Sequence, residues 1–430
     1  MSKHHSMPTG FSIRDHSIFC ESSSIDALAD NFGTPLYIYS QNAIVEAFTA
    51  WSEAFQDAEH LVCYAVKANS NIAILKLLAS MGSGFDIVSG GELQRVLHAG
   101  GLAEKIVFSG VGKAASEIEQ ALTAGIRCFN VESTSELLLI ERLADRLGKV
   151  APISVRINPD VDAKTHPYIS TGLKENKFGV NAETARELYR IAHASPCLRP
   201  VGIDCHIGSQ LTDIAPFIDS VKHLKDVVLE LQSAGIELRH IDIGGGLGIR
   251  YSDEQIPSTG ELITAVREHL DDLSLELMIE PGRSIVGNAG ALITRVQVIK
   301  TGETKNFAVV DAAMNDLLRP ALYSAWQDIV EVDAGKDDAA LYDVVGPVCE
   351  TGDFLGKDRE LSIDEGDLLA ILGAGAYGFA MSSNYNTRPR AAEVLIDKNE
   401  AHVIRSRERV KDLWINEVVP SHIGGPVNED

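Results

Sequence analysis

The sequence LVCYAVKAN, residues 61–69, is the stretch around which the chain is organised. It runs from a short apolar segment, typical of a strand, into a lysine and then a small polar turn. Because side chains alternate along a strand, Cys63, Ala65 and Lys67 are expected on one face. A lysine at the end of a buried strand is either an ion-pair partner at the rim of a sheet or a reactive amine whose pKa is lowered by desolvation and nearby positive charge. The rest of the chain decides between these two interpretations.

From residue 61 onward, a strand-like run, a turn and a segment with helical periodicity follow one another repeatedly. The strand-like runs are Leu61–Val66, Phe85–Val88, Ile106–Ser109, Arg127–Asn130, Ile153–Ile157, Val201–Cys205, His240–Ile243 and Leu275–Ile279. The segments with apolar positions three and four apart are Ile72–Met81, Gly91–Ala99, Ala115–Ala124, Ser135–Leu147, Ala182–Ala194, Ile214–Ala234 and Glu261–Leu270. Eight such units followed by a change of pattern favour a closed (β/α)8 TIM barrel with a parallel sheet. A doubly wound open sheet alternates in the same way and is the alternative architecture.

The pattern changes after Pro281. Short β-rich runs separated by turn-forming residues follow, at Ala291–Lys300, Phe307–Asp311, Tyr342–Val345, Leu368–Leu372, Ala392–Ile396 and His402–Ser406. The run Thr34–Tyr39 reads as a single strand without a partner in the barrel, so it is expected to pair into this second, C-terminal β-rich domain. Residues 1–33 are expected to be irregular. The predicted division is a cofactor-binding barrel over residues 46–290 and a β domain over residues 1–45 and 291–430.

Composition limits the classes of function. The 430 residues are 45% hydrophobic and carry a formal net charge of −23, which argues against sequence-independent binding to nucleic acid or to an anionic membrane. The six cysteines lack the paired spacing of a zinc site or a disulfide framework, which is typical of a reducing cytoplasm. The first six residues, MSKHHS, lack the apolar core of a signal peptide, and no apolar run approaches the roughly 20 residues of a membrane span. We therefore expect a soluble, cytoplasmic protein with a small-molecule substrate.

Active-site residues of such barrels lie at the carboxyl ends of the strands. The polar residues at or just after the predicted ends are Lys67, Asp86, Ser89, Ser109, Asn130, Glu132, Arg156, His206 and Glu280. Any one of them could simply end a strand in solvent. A set that includes a lysine, a histidine, an arginine and several carboxylates indicates a catalytic site.

A glycine run, Gly244-Gly245-Gly246, follows the seventh predicted strand, near the place where such barrels often hold a phosphate. Successive glycines let backbone N–H groups approach an anion closely, although tight turns use the same residues. No Gly-Lys-Ser/Thr sequence follows, so this is not a Walker loop. A phosphate near a lysine suggests a phosphorylated aldehyde cofactor more than a nucleotide.

His206 and Glu280 follow the sixth and eighth predicted strands. His206 lies close to Ser209, and without a second histidine or cysteine at ligand spacing a metal site is not expected; a core histidine is the alternative. Glu280 precedes Arg283 by three residues, which fits a salt bridge. The same carboxylate could instead hold a pyridinium nitrogen protonated, which makes the ring an electron sink.

Several motifs in order along the chain carry a family resemblance. They are Tyr64–Asn69, Phe85–Glu92, His206–Ser209, Gly244–Gly246, Glu280–Arg283 and Cys349-Glu350, covering about Thr34 to Tyr377. Together they resemble the pyridoxal-phosphate-dependent decarboxylases of basic amino acids with the alanine-racemase fold. Three further motifs, His166–Gly172, Lys177-Phe178-Gly179 and Met314–Tyr323, are similar to the branch of that family whose substrate is meso-2,6-diaminopimelate.

The resemblance implies a role for each matching residue. Lys67 would hold pyridoxal 5'-phosphate covalently, His206 would stack on its ring, and Glu280 would bind the ring nitrogen. The implied cofactor contacts also include Asp86, Ser209, Gly244, Gly245, Gly246, Gly282, Arg283 and Tyr377. The implied substrate contacts are Arg283, Arg319, Tyr323, Glu350 and Tyr377.

The resemblance also implies the reaction and the assembly. The reaction would be decarboxylation of meso-2,6-diaminopimelate to L-lysine and carbon dioxide, the last step of lysine biosynthesis, with Cys349 as the proton donor. Cys349 and Glu350 would reach the site from the second subunit of a homodimer, so that a monomer would be inactive. A buried cysteine is more often simple packing, and only the neighbouring motif favours the catalytic role.

Two alternatives remain at this point. The first is a decarboxylase of arginine, ornithine or lysine, or a racemase of the same fold, none of which needs to hold a distal carboxylate. Arg319 and Arg283 offer donors for such a carboxylate and therefore favour diaminopimelate. The second is a non-catalytic cofactor-binding paralogue, which would be expected to have lost Lys67 or Cys349; both are present.

Overall fold

The computed structural model describes residues 7–160, 176–420 and 422–423, and its first elements differ from the sequence-based expectation. Residues 11–32 form a small three-stranded antiparallel sheet and a helix: β1 (Phe11–Arg14), β2 (Ser17–Cys20), β3 (Ser23–Ser24) and α1 (Ile25–Phe32). The expectation of an irregular N-terminus was therefore wrong. Ile18, Cys20 and Ile25 are buried in a small core with Leu36 and Ile38, but strands of two to four residues are too short to show a period.

Strand β4 (Leu36–Ser40) confirms the predicted pairing of the N-terminal strand with the β domain. It lies between β13 (Gly290–Lys300), which runs antiparallel to it, and β19 (Ala392–Asp397), which runs parallel. The sequence-based assignment missed the helix that follows, α2 (Gln41–Ala54), which spans the predicted boundary at residues 45 and 46. Ser40 ends the strand and caps this helix, since its Oγ accepts a hydrogen bond from the Ala43 N–H at 3.1 Å.

The described residues contain the predicted closed barrel of eight parallel strands. The strands are β5 (His60–Ala65), β6 (Gly84–Ile87), β7 (Ile106–Phe108), β8 (Cys128–Val131), β9 (Ala151–Arg156), β10 (Leu198–Asp204), β11 (His240–Asp242) and β12 (Glu276–Ile279). The helices that follow them include α3 (Ile72–Ser80), α4 (Gly90–His98), α5 (Ala115–Ala124), α6 (Thr134–Arg146), α7 (Ala182–Ala194), α8 (Ala215–Ser233), α9 (Thr259–Leu270) and α10 (Arg283–Val286). Closure rules out the open-sheet alternative.

The residues of β5 divide between two cores. Val62 and Tyr64 belong to the main hydrophobic core that includes the barrel helices, whereas Cys63 belongs to a small cluster inside the barrel. The strand ends at Ala65, and residues 66–68 form a turn of 3₁₀ helix. Lys67 therefore lies on this turn, past the end of the strand, and not on the strand face where alternation placed it.

The β domain contains the predicted strands and two that the sequence-based assignment missed. Its strands after β13 are β14 (Asn306–Val310), β15 (Ile329–Glu331), β16 (Ala340–Val345), β17 (Phe354–Leu361), β18 (Leu368–Ile371), β19 and β20 (Glu400–Arg405), with a short helix, α11 (Arg319–Tyr323). The order is β17-β16-β14-β13-β4-β19-β20, and β18 pairs with β13 and β15. The missed strands are β15, which has three residues, and β17, an edge strand interrupted by charged side chains.

None of the helices in the described ranges is long and apolar enough to cross a membrane.

Candidate active site

A cavity of about 350 Å³ opens beside the carboxyl ends of the barrel strands and extends to the β domain. Seven of the residues predicted from the sequence line it: Lys67, His206, Ser209, Arg283, Arg319, Tyr323 and Tyr377. Tyr251 and Glu254 also line it and were not predicted. Tyr251 comes five residues after the glycine run, and that proximity was the signal available in the sequence.

Lys67 is paired with Asp86. Its Nζ lies 2.6 Å from Asp86 Oδ2, and the lysine side chain is 34% exposed whereas that of Asp86 is fully buried. Burial by itself lowers the pKa of Lys67, but the negative charges of Asp86 and Glu280 outweigh it, so the pKa lies above its ordinary value. The expectation of a lowered lysine pKa was therefore wrong, because carboxylates and not cations surround the amine.

His206 is held as a neutral imidazole. Its Nδ1 accepts a hydrogen bond from the Gly245 N–H at 3.1 Å, which leaves the ring proton on Nε2. Burial first, and then the positive charges of Arg156 and Lys67, keep the pKa of His206 well below its ordinary value. The ring can therefore pack against a flat ligand in the cavity without adding positive charge.

The glycine run packs tightly against the neighbouring strand ends. A Cβ at Gly245 would lie 2.1 Å from the carbonyl oxygen of Glu280, and one at Gly246, where φ is +118°, would lie 2.5 Å from that of Gly208. Close backbone approach therefore requires glycine at these two positions. The Gly244 N–H donates to Asp242 Oδ1 at 2.9 Å and the Gly245 N–H to His206. Among the described residues, the Gly246 N–H makes no hydrogen bond, so it can donate to an anion.

Glu280 belongs to a cluster of buried carboxyl groups. One oxygen each of Asp204, Asp242 and Glu280 lies within 4.8 Å of the other two. Burial raises the pKa of Asp204 and Glu280 well above the ordinary value, and the next contribution is repulsion, from Asp242 at Asp204 and from Asp86 at Glu280. Burial raises the pKa of Asp242 to about 7. The nearest cation to Asp204 is Arg156, with Nε at 3.9 Å. A cationic neighbour at Glu280 would therefore be favoured, because it would offset this repulsion.

Asp204 and Asp242 were not singled out from the sequence. Each comes just before a segment that was, His206–Ser209 and Gly244–Gly246 respectively, and this position was the available signal. Asp204 Oδ1 and Asp242 Oδ2 are buried without a hydrogen-bond partner in the described part of the chain. The expectation that there is no metal site rested on the spacing of histidines and cysteines and did not consider this cluster.

Two buried arginines converge on one phenol oxygen. Arg283 Nη1 lies 2.6 Å and Arg319 Nη1 lies 2.7 Å from the hydroxyl oxygen of Tyr251. Within the described ranges, neither guanidinium forms an ion pair with a carboxylate. Burial first, and then the repulsion of Arg283, outweigh the attraction of Tyr251 and lower the pKa of Arg319. Two uncompensated cations in a cavity form a site for an anionic group.

The β domain supplies part of this cavity. Arg319 and Tyr323 lie on helix α11. Tyr377 has a left-handed backbone with φ of +56°, which is uncommon outside glycine, and its N–H donates to the Ala68 carbonyl at 2.8 Å, next to Lys67. Its ring lies 4.9 Å from the guanidinium carbon of Arg283. Backbone hydrogen bonding across the two domains therefore holds Tyr377 at the lysine.

Cys349 and Glu350 do not line this cavity in their own chain. Both are exposed, on the connection between β16 and β17. The Glu350 carboxylate accepts a hydrogen bond from the hydroxyl of Tyr385, and the Cys349 N–H donates to Asn386 Oδ1 at 3.3 Å. The protomer alone therefore leaves the cavity without these two predicted residues.

The motif His166–Gly172 lies outside the described residues. The motif Lys177-Phe178-Gly179 begins five residues after Gly172, and the Gly179 N–H donates to Glu132 Oε2 at 2.9 Å. Glu132 also pairs with Arg156, with 3.3 Å between Oε1 and Nη1. A buried ion pair behind the acid cluster thus anchors the end of this motif at the barrel.

Comparisons with known proteins agree with this arrangement. The family described as "Pyridoxal-dependent decarboxylase, pyridoxal binding domain" matches residues 41–287. Diaminopimelate decarboxylase from Neisseria meningitidis serogroup B is 58% identical over 402 residues, covering 93% of this chain and 97% of the relative. The enzyme of that name from Pseudomonas aeruginosa is 55% identical over 407 residues, covering 95% and 98%.

The fold is similar to that of a solved structure as well. Diaminopimelate decarboxylase from M. jannaschii, in co-complex with L-lysine, superimposes with a TM-score of 0.93 at 42% sequence identity, covering 97% of this chain and 99% of that one. Identity of this extent over nearly the whole of both chains places the β domain as well as the barrel in the same family. The chain belongs to the diaminopimelate decarboxylase family of pyridoxal-dependent decarboxylases.

Proposed function

We propose that this chain decarboxylates meso-2,6-diaminopimelate to L-lysine and carbon dioxide, using pyridoxal 5'-phosphate. The observation that carries the choice of substrate is the pair of buried guanidiniums, Arg283 and Arg319, in the cavity that contains Lys67. A substrate with a second carboxylate far from the reacting carbon supplies the anion that these cations lack. Lysine, ornithine and arginine present a cation at that end instead.

The residues present suit pyridoxal phosphate. Lys67 is the one amine that lines the cavity in the described chain. The buried carboxyl group of Glu280 comes directly after strand β12 and would favour a protonated ring nitrogen. The Gly246 N–H and Arg283 offer donors for a phosphate. When bound, the cofactor takes up the electrons of the breaking bond between Cα and the carboxylate.

We propose the following division of roles among the chain's own residues. Lys67 binds the cofactor covalently, and Asp86 orients its amine through the 2.6 Å ion pair. His206 packs on the ring as a neutral imidazole, and Glu280 keeps the ring nitrogen protonated. The remaining proposed cofactor contacts are Ser209, Gly244, Gly245, Gly246, Gly282, Arg283 and Tyr377. The proposed substrate contacts are Arg283, Arg319, Tyr323, Tyr377 and Glu350.

We propose that the site is completed by a second copy of the chain, in a homodimer. The support is the exposed position of Cys349 and Glu350, away from the cavity of their own chain. In a head-to-tail dimer, Cys349 would hold the proton that the substrate carbon takes up, and Glu350 would accept the distal ammonium. We also propose a cytoplasmic location and the division into a barrel, residues 46–290, and a β domain, residues 1–45 and 291–430.

The substrate is tested by offering the cofactor-loaded protein meso-2,6-diaminopimelate, L-lysine, L-ornithine and L-arginine separately. We expect carbon dioxide and L-lysine from diaminopimelate, with a kcat/KM far above those for the other three. Comparable values for a simple basic amino acid would establish the alternative decarboxylase. A protein that binds the cofactor but turns over none of the four would be the non-catalytic paralogue.

The composite site is tested by mixing two inactive variants, Lys67→Ala and Cys349→Ala, under conditions that exchange subunits. A mixed dimer would contain one site with both Lys67 and Cys349 intact, so about a quarter of the wild-type specific activity should return. Each variant alone is the control and should stay inactive. A mixture that stays inactive, although mixed dimers are detected by mass, would place both residues in one subunit's site.

A further inference from the structure

We propose that Tyr251 is a positioning and specificity-determining residue: it holds Arg283 and Arg319 as a pair and presents its own hydroxyl hydrogen to the distal carboxylate of the substrate. This inference rests on the proposed function and deepens it, because it names how the second carboxylate is recognised. The position of Tyr251 after the glycine run indicates nearness to the cavity but not this role. Three observations carry it: the hydrogen bonding of the phenol oxygen, the charges around it, and the support behind the ring.

The hydrogen bonding of Tyr251 leaves one donor. The phenol oxygen accepts from Arg283 Nη1 at 2.6 Å and from Arg319 Nη1 at 2.7 Å, and these two bonds use its acceptor capacity. The O–H group still has a hydrogen to donate, and no acceptor for it occurs in the portion of the chain that is described. Because Tyr251 lines the cavity, an acceptor can come from a ligand there.

The charges around the Tyr251 hydroxyl favour an anion beside it. Arg283 and Arg319 are each 6% exposed and Tyr251 is 8% exposed, so water screens the repulsion between the two guanidiniums poorly. The Tyr251 ring centroid lies 5.8 Å from the guanidinium carbon of Arg283 and 4.9 Å from that of Arg319, which offsets part of the repulsion. A carboxylate would neutralise the pair and accept the phenol hydrogen at the same time.

Tyr251 is fixed by contacts other than those with the two arginines. Its N–H donates to Glu254 Oε2 at 2.9 Å. Gly373, from the β domain, packs on the ring, since a Cβ there would lie 3.2 Å from Tyr251 Cε1, and the φ of +64° at Gly373 also favours glycine. One barrel residue thus connects Arg283, on barrel helix α10, with Arg319, on helix α11 of the β domain. The separation of the two arginines is therefore set by a single phenol oxygen.

The ligands of this reaction separate the role of Tyr251 from general support. Decarboxylation of diaminopimelate removes the carboxylate at the reacting carbon, so L-lysine retains the distal one. The diamine 1,5-diaminopentane has the same chain and both amines but no carboxylate. If Tyr251 serves the distal carboxylate, it contributes to the binding of L-lysine and not to that of the diamine.

The test is the Tyr251→Phe variant of the cofactor-loaded protein, which keeps the ring and removes the oxygen. We expect the inhibition constant of L-lysine to rise about tenfold or more, because a buried charge-assisted hydrogen bond to its carboxylate is lost. The inhibition constant of 1,5-diaminopentane should change less than about twofold. The KM for diaminopimelate should rise with the L-lysine constant, and kcat should change much less, because Tyr251 does not contact Lys67. The absorption spectrum of the bound cofactor should be unchanged.

A matched control is Tyr189→Phe, on helix α7, which also removes a buried hydroxyl: its oxygen donates to the Gly202 carbonyl at 2.6 Å, outside the cavity. That variant should lose stability but bind both ligands as the wild type does. Equal weakening of L-lysine and the diamine in Tyr251→Phe would show a structural role, and unchanged L-lysine binding would remove the role altogether. A wild-type protein that neither turns over diaminopimelate nor binds L-lysine would instead overturn the proposed function, before any variant is compared.

Discussion

Lys67 Nζ lies 2.6 Å from Oδ2 of Asp86, a carboxylate with no exposed surface. The pair couples the 3₁₀ turn after β5 to the neighbouring strand β6, so the amine is oriented by the barrel itself. The other oxygen of Asp86, Oδ1, has no hydrogen-bond partner in the described chain. The barrel therefore places an oriented lysine beside buried carboxyl groups, where a protonated ring nitrogen of the cofactor would be favoured.

Lys67→Ala should abolish turnover and the visible absorption band of the covalently bound cofactor, because Lys67 is the one lysine lining the cavity in the described ranges. Spectra and diaminopimelate turnover measured on the purified protein check this. Lys76→Ala, an exposed lysine of helix α3, is the control and should retain both. A band that persists in Lys67→Ala would move the covalent attachment to another amine.

Glu280→Gln should keep the cofactor bound but lower kcat by on the order of 100-fold or more, since an amide cannot keep the ring nitrogen protonated. Cofactor content and kcat are measured on the same preparation. Glu276→Gln is the control, because Glu276 begins strand β12, at the opposite end from Glu280, and pairs with Arg127. A kcat near that of the wild type in Glu280→Gln would exclude this role.

Arg319→Ala should lower kcat/KM for diaminopimelate, with a loss of ~2–5 kcal/mol in transition-state stabilisation. The reason is that the distal carboxylate of the substrate loses its buried cationic partner. L-lysine offered as a substrate has an ammonium and no carboxylate at its distal end, so its kcat/KM should change little. The two kcat/KM values and the dissociation constant of the cofactor are measured together. A parallel fall for both substrates, or a loss of cofactor affinity, would indicate a collapsed cavity and not a carboxylate clamp.

Asp242→Asn should change how stability depends on pH. Burial raises the pKa of Asp242 to about 7, against about 3.9 in an unfolded chain. Between these values the folded state retains a proton that the unfolded state releases, so Asp242 lowers the free energy of unfolding as the pH rises. The asparagine cannot ionise and keeps an acceptor for the Gly244 N–H.

Urea unfolding of both proteins at pH 4 and pH 8, in the same cofactor state, measures this effect. The free energy of unfolding of Asp242→Asn minus that of the wild type should be larger at pH 8 than at pH 4, by more than about 1 kcal/mol. A difference that is constant with pH would mean that Asp242 is ionised in the folded protein throughout this range.

Gly202→Ala should destabilise the barrel by ~1–3 kcal/mol, because a Cβ there would lie 1.9 Å from Nε2 of His240 on the adjacent strand. Gly260→Ala, in helix α9, meets nothing within 4 Å and should stabilise by ~0.5–1 kcal/mol. The midpoints of urea unfolding compare the two variants. An unchanged midpoint in Gly202→Ala would show that the His240 side chain can move away without cost.

The architecture could be predicted from local patterns in the sequence. The eight predicted strand runs coincide with β5 to β12 to within about three residues, and β4 pairs with the β domain as expected. Strand alternation and helical spacing depend on which side chains of one element are buried, so the position and type of an element can be read from its own residues. They failed where an element was short, as in β1 to β3 and β15, or where charged side chains interrupted it, as in β17.

The sequence also identified the family and most residues of the cavity, since Lys67, His206, Arg283 and Arg319 lie in recognisable motifs. The protonation and hydrogen bonding of these groups depend on contacts between residues that are far apart in the sequence. The pKa of Lys67 is raised and not lowered because Asp86 and Glu280 come from other strands. Tyr251 shares its oxygen with two arginines that are distant along the chain. Charge and hydrogen bonding act through space, and barrel closure sets the distances, which no local pattern records.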